Sequence, residues 1–369
     1  MTKLKSISIL HVILLSMTFI GLKTHVSIIT SILSASGRDG WMAVLLAGIL
    51  FLPWLLLIVV IHKKTKQQPI NEWIKQKFGQ FFGNIIIYFT AFFLIILAAF
   101  TMHETLLWIN TTFLPRTPTL ALFIIFFITI ILLILTSIET IAIVNVLVLF
   151  GVLVFCFFIA IVNVPIKDYS LLRPFLEHGI SPVIAGTIYP AAAYAELLLF
   201  VFLQHRIKDQ LKFRHYAIML FLLVGLTLGP LLGSITEFGP TEAAKQRYPA
   251  FEQWGIATIG RFIEHLDFLS FYQWLTGAFI RIGILLYLVT QLFNLSGNKN
   301  GIWRYVAAPF FFITLILGLI EDSTFLTFKA HEFLIITFIY LFVLSLILFI
   351  AAVLPEKEVK HSSDTKYTK

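Results

Sequence analysis

Residues 19–27 read FIGLKTHVS, in the middle of a run from Ile7 to Leu33 otherwise made, apart from His11 near its start, of Ile, Leu, Val, Phe, Met, Ser and Thr. Gly21, Lys23 and His25 interrupt it within five residues. An apolar run of this length is read as a membrane span, because about 20 apolar residues cross a hydrocarbon core about 30 Å thick. A glycine followed by Lys23-Thr24-His25 inside such a span marks either a break in the helix beside a cavity or a lysine that snorkels to the near surface.

The rest of the chain repeats the pattern. Of 369 residues, 59% are hydrophobic and 12% charged, well above the roughly 45–50% apolar content of soluble domains. Ten apolar runs follow one another, at about 7–33, 41–61, 82–108, 119–137, 141–164, 182–203, 215–236, 269–293, 303–320 and 333–354. The first is too long for a signal-peptide core, so it is expected to remain as a helix. One membrane domain is expected over 1–354, with a polar tail over 355–369. The single cysteine, Cys156, excludes a disulfide framework.

The formal net charge is +8, and the distribution of that charge decides its meaning. With the N-terminus inside, seventeen Lys and Arg fall in inner segments and eight in outer ones. That bias predicts both termini to be cytoplasmic and gives no support to nucleic-acid binding. The stretch QPINEWIKQKFGQFFG (68–83) interleaves aromatics with Lys75 and Lys77, as a helix lying in the membrane interface does. In the outer segment 237–268, apolar residues recur at helical spacing from Phe251 to Leu266, so this loop is expected to fold.

Ten helices divide into five and five, and an odd number per half forces the halves into opposite orientations. Inverted repeats of this kind build many secondary transporters, whose sites form where corresponding helices are broken. The first and sixth runs correspond. The sixth, PVIAGTIYPAAAYAELLLF (182–200), carries Gly186, Thr187 and Pro190 in its outer half. Proline removes a backbone donor and clashes one turn back.

Two ionisable residues lie deep in other runs. Glu196 in the sixth and Arg281 in the eighth fall roughly 21 and 18 Å from the outer end at about 1.5 Å per residue. They are expected either to pair across the bundle or to neutralise a charged ligand. His103, Glu104 and Glu139 are expected at hydrated interfaces. Tyr189, Tyr194 and Trp274 are candidates for a site wall or for packing. No nucleophile elbow, phosphate loop, Cys-x-x-Cys or His-Glu-x-x-His occurs, so neither an enzyme nor a bound metal or cofactor is expected.

Three segments, SGRDGWMAVLLAG (36–48), DYSLLRPFLEHGISPVIAG (168–186) and RYPAFEQWGIATIGRFIEHLDFLSFYQWLTGAF (247–279), carry a resemblance to the B-subunit family of GerA-type spore germinant receptors. That family is a branch of the amino acid–polyamine–organocation transporters. The resemblance implies an all-α membrane protein of ten helices with a LeuT-like 5+5 inverted repeat, discontinuous at helices 1 and 6. It implies a non-enzymatic subunit of the endospore inner membrane that senses a small germinant, an amino acid or sugar, beside an A subunit and a lipoprotein C subunit. By position, the family's site maps to the break of helix 1 around Gly21, the break of helix 6 around Tyr189-Pro190 and the facing sides of helices 3 and 8; together with the residues read above, the candidate ligand-binding set is Gly21, Lys23, Thr24, Tyr189, Pro190, Tyr194, Glu196, Gly277 and Arg281. A proton-coupled amino acid permease and a structural or ion-conducting subunit are the alternative expectations.

Overall fold

The computed structural model describes residues 6–260 and 266–354. Lys3 and Lys5, Arg261 to Ile263, and the tail 355–369 lie outside the described residues. In chain order the helices are α1 (Ile9–Phe19), α2 (Ile29–Ser36), α3 (Gly40–Lys64), α4 (Ile70–Thr112), α5 (Thr119–Ile134), α6 (Ile138–Val162), α7 (Ser181–Gly186) and α8 (Ile188–Tyr194). They continue as α9 (Phe213–Phe238), α10 (Pro240–Lys245), α11 (Pro249–Gly255), α12 (Phe268–Leu292), α13 (Lys299–Ile302), α14 (Ala308–Leu317), α15 (Asp322–Ala330) and α16 (Glu332–Val353). No strand occurs among the described residues.

Nine helical stretches there are long and apolar enough to cross a membrane, and α5, with 16 residues, is a shorter apolar helix. Together they supply the ten crossings. The first is α1, a π turn over Lys23–Ser27, and α2; the sixth is α7, α8 and a 3-10 segment over Ala195–Arg206. Gly37, at φ 54°, reverses the chain between α2 and α3, a backbone region that glycine enters at little cost. At Gly79, φ 79° and ψ 169°, α4 kinks. Residues 70–78 therefore form a separate short helix before the crossing, within the stretch 68–83 expected to be one interface helix, while Phe81 and Phe82 fall beyond the kink.

The helices pack in the way an inverted repeat requires. The second crossing, α3, lies against the seventh, α9, and the third, α4, against the eighth, α12. The second and third crossings thus meet their counterparts in the other half. Large apolar side chains stay outside: Phe150 is 72% and Phe221 76% exposed. A belt of such residues is stable only against lipid. The sixth and eighth crossings, by contrast, are almost wholly enclosed by protein.

Ile7 and Ile207 pair as an isolated bridge, with Ile7 N donating to Arg206 O at 2.8 Å, and Gln67 donates to Ile207 O at 3.2 Å. Lys77 donates to Leu354 O at 3.0 Å. Both described ends of the chain therefore sit at one end of the bundle.

Candidate functional site

The break of the first crossing is a local hydrogen-bond problem solved by its own side chains. The π turn closes with Ile28 N donating to Lys23 O at 3.2 Å and inserts one residue too many for a regular helix. The Gly21 carbonyl accepts from Thr24 Oγ1 at 2.9 Å and from His25 Nδ1 at 2.5 Å. A carbonyl can only accept, so Nδ1 carries the ring proton. The turn swings Lys23 inward, 6% exposed, rather than toward either membrane surface.

Lys23 meets a buried carboxylate. Its Nζ donates to Glu196 Oε1 and to Ala192 O, each at 3.0 Å. Glu196 also takes a bidentate pair from Arg281, at 2.6 and 2.8 Å. Arg281 further donates to Phe19 O at 2.7 Å and to Thr101 Oγ1 at 3.2 Å, and its guanidinium lies 5.3 Å from the Phe19 ring centroid. Glu196 and Arg281 therefore pair, as one of the two expectations held, and Lys23 joins them.

A second ion pair lies toward the opposite end of the bundle. Lys329 of α15 donates to Glu104 of α4 at 2.5 Å, and Ser27 donates to the same carboxylate at 3.3 Å. This corrects the expectation that His103 and Glu104 are hydrated: they are only 7% and 5% exposed. Lys329, one of the eight Lys and Arg counted in outer segments, is 8% exposed. The signal that could have found it is its sequence context, a lysine in the short helical stretch that leads directly into the last apolar run. Glu139 accepts from Ser6 N at 3.1 Å.

Between the two ion pairs is a cavity of about 30 Å³, room for about one or two waters. Lys23, Arg281, Lys329, Glu104, Ser27 and Thr101 supply its polar wall, and Phe100 and Phe333 stack across it with centroids 3.8 Å apart. Farther out, Trp108 stacks on Trp274 at 4.1 Å, and Tyr248, from the segment before α11, meets Trp274 edge-on at 4.6 Å. Burial first, and the nearby Glu104 carboxylate second, push the Tyr248 phenol well above its ordinary pKa. The outer segment thus closes the bundle over the cavity.

The other expected residues, Gly21, Thr24, Tyr189, Pro190, Tyr194, Glu196 and Gly277, do not line the cavity. Gly21 faces Leu226 of α9, and Thr24 is spent on the Gly21 carbonyl. Gly277 faces Leu22, so a Cβ there would lie 3.1 Å from Leu22 Cδ1. The Tyr189 hydroxyl bonds His331 Nδ1 at 3.0 Å, and Pro190 is buried next to it in α8. Tyr194 points to α9, with its hydroxyl 3.4 Å from Thr227 Oγ1.

The arrangement offers spare donors. Arg281 uses four of its five N–H groups and Lys23 two of its three. Among the described residues, Lys23, Arg281 and Lys329 pair with Glu196 and Glu104, which leaves one positive charge in excess there. An uncompensated charge inside a membrane protein is expensive, so the site is suited to an added anion.

A ten-helix bundle with a broken first crossing, a segmented sixth and a polar cavity beside them is a permease-like membrane protein with the LeuT-like fold. The solved transporter Mhp1 of the nucleobase-cation-symport-1 family, closed with bromovinylhydantoin bound, superposes with a TM-score of 0.61 at 14% identity, over 94% of this chain and 78% of that one. Residues 4–326 match the spore permease family model, described as spore germination protein, and the chain belongs to that family. It is 38% identical to spore germination protein XB of Bacillus anthracis over 332 residues, 89% of this chain and 93% of that protein. Identity to spore germination protein A2 of Bacillus subtilis (strain 168) is 22% over 349 residues, 88% of each chain.

Proposed function

We propose that the chain is the nutrient-sensing subunit of a spore germination receptor, and that the cavity between the two buried ion pairs receives a small germinant through its carboxylate. The observation that carries this reading is the excess positive charge with free donors on Lys23 and Arg281, both in the cavity wall at the break of the first crossing. A carboxylate there takes those donors, and an amino acid's ammonium group has Glu104 within the same wall.

At about 30 Å³ the cavity is far smaller than an amino acid. The ligand therefore binds a wider form of the bundle and shifts the population toward it by its differential affinity for the two forms. In this reading the widened form is passed to an A subunit and a lipoprotein C subunit in the endospore inner membrane, with both termini cytoplasmic. No catalytic step is assigned to the chain.

The test uses spores whose only receptor operon encodes this chain, exposed to single nutrients. Lys23→Met is expected to raise the half-maximal concentration of a carboxylate germinant by at least about tenfold, the weight of one charge-assisted hydrogen bond. An unchanged response at normal subunit levels overturns the assignment. The competing reading is a proton-coupled permease, since sensor and transporter share this fold. Steady accumulation of the nutrient by proteoliposomes containing the chain alone decides for that reading.

A further inference from the structure

On the other side of the same break lies a second, larger space that the sensing site does not use. A cleft of about 370 Å³ opens between α6, α9, α11 and α12, at the depth of the membrane-spanning helices. Gly225 and Gly229, one turn apart on α9, hollow its wall, and a Cβ at either would meet nothing within 4 Å. Its lining is otherwise mostly apolar, with Leu153 of α6 opposite and Trp254 of α11 at the outer end.

The polar groups of the cleft are unevenly placed. Among the described residues of the wall, the charged one is Lys167, beyond the end of α6, where its amine bonds Ala160 O at 3.3 Å and lies 3.6 Å from Glu237. Deeper in the wall is His25, in the same π turn whose Lys23 holds Glu196 on the inward side. Water gains nothing in an apolar hollow facing hydrocarbon, whereas an alkyl chain fills it and recovers the dispersion contacts. A mostly apolar hollow with an amine at its mouth, which Glu237 faces from one side, suits an alkyl chain below a phosphate.

We infer that the cleft holds one acyl chain of a membrane phospholipid, with the phosphate beside Lys167, and that the chain supports the π turn of the first crossing at His25. The space is large enough for about a dozen groups of water size, at about 30 Å³ each. Lipid occupancy and the sensing site then meet in one five-residue turn, which each braces from its own side.

Native mass spectrometry of the purified full chain, after washing with a mild detergent, tests this without any nutrient. One retained phospholipid per chain is expected for the wild type. Gly225→Leu and Leu153→Trp, filling the cleft from opposite walls, are each expected to lower retention by at least about tenfold, the loss from displacing about two methylenes. Lys167→Gln is expected to weaken retention of phospholipid more than that of diacylglycerol, which lacks the phosphate. Equal retention by the wild type and whichever filled variant keeps a wild-type melting curve overturns the proposal. So does a wild-type chain that retains no lipid, or one that retains only a free fatty acid. Because the readout is bound lipid, a failure here leaves the germinant assignment standing, and the reverse also holds.

Discussion

Glu196 is the residue on which the centre of the bundle turns, because it is a fully buried carboxylate facing two cations. Removing it and removing a cation are therefore unequal changes. Arg281→Met leaves Glu196 paired with Lys23, a balanced pair, and is expected to cost near the lower end of the roughly 3–5 kcal/mol lost when a buried pair is broken. Glu196→Gln leaves two cations without a counter-charge and is expected to destabilise more. Thermal melting of the purified variants in detergent ranks the two, and the reverse order would show that Arg281 rather than Glu196 is the anchor. Lys23→Met removes the excess charge and is expected to leave the melting temperature near wild type while the half-maximal concentration of a carboxylate germinant rises.

At the scale of elements, the two broken crossings are held together by close contact. A Cβ at Gly186 of α7 would collide with Ser36 Oγ, whose hydroxyl donates to Pro182 O at 2.8 Å and ties α2 to α7. Gly186→Ala is expected to break that tie and destabilise by about 1–3 kcal/mol, the usual cost of overpacking. Gly225→Ala, with open space at its Cβ, is expected to be neutral or slightly stabilising, since alanine favours a helix. Chemical denaturation of both variants checks the contrast.

The outer segment carries its own pH dependence. Burial raises the Glu252 carboxyl of α11 above its ordinary 4.5. A folded-state pKa above the unfolded one means that the stability present below about 4.5 is lost as pH rises through the folded value. Hydrogen exchange across 249–255 is expected to quicken over that window beyond its intrinsic pH dependence, and Glu252→Gln is expected to remove the excess.

Over the whole molecule, ten crossings return the chain to the side on which it began, as the contacts of Ile7 with Ile207 and of Lys77 with Leu354 require. Tags placed at the two termini are expected to be labelled together by an impermeant reagent in inverted vesicles, and neither in sealed cells. Labelling of the two from opposite sides would mean an odd number of crossings.

The ten spans, a separate helix within 68–83 and a break beside Gly21, at Lys23–Ser27, were legible in the sequence. Each rests on a local property: the length of an apolar run, the mixing of aromatic and basic residues, a polar triplet inside a span. The sequence also marked Lys23, Glu196 and Arg281, because charge stands out against hydrocarbon. Their meeting was a matter for the tertiary structure, since residues 173 and 85 positions apart are brought together only by the packing of the first, sixth and eighth crossings. The same holds for Glu104 with Lys329, two residues that look solvated until α15 folds against α4. Tyr194, which chain position alone places beside the site, turns instead to α9, because a helix face is chosen by its neighbours. What a side chain is, and how deep it lies, is written along the chain; which partner satisfies it is fixed only when the two inverted halves close on each other and leave a buried charge nowhere else to go.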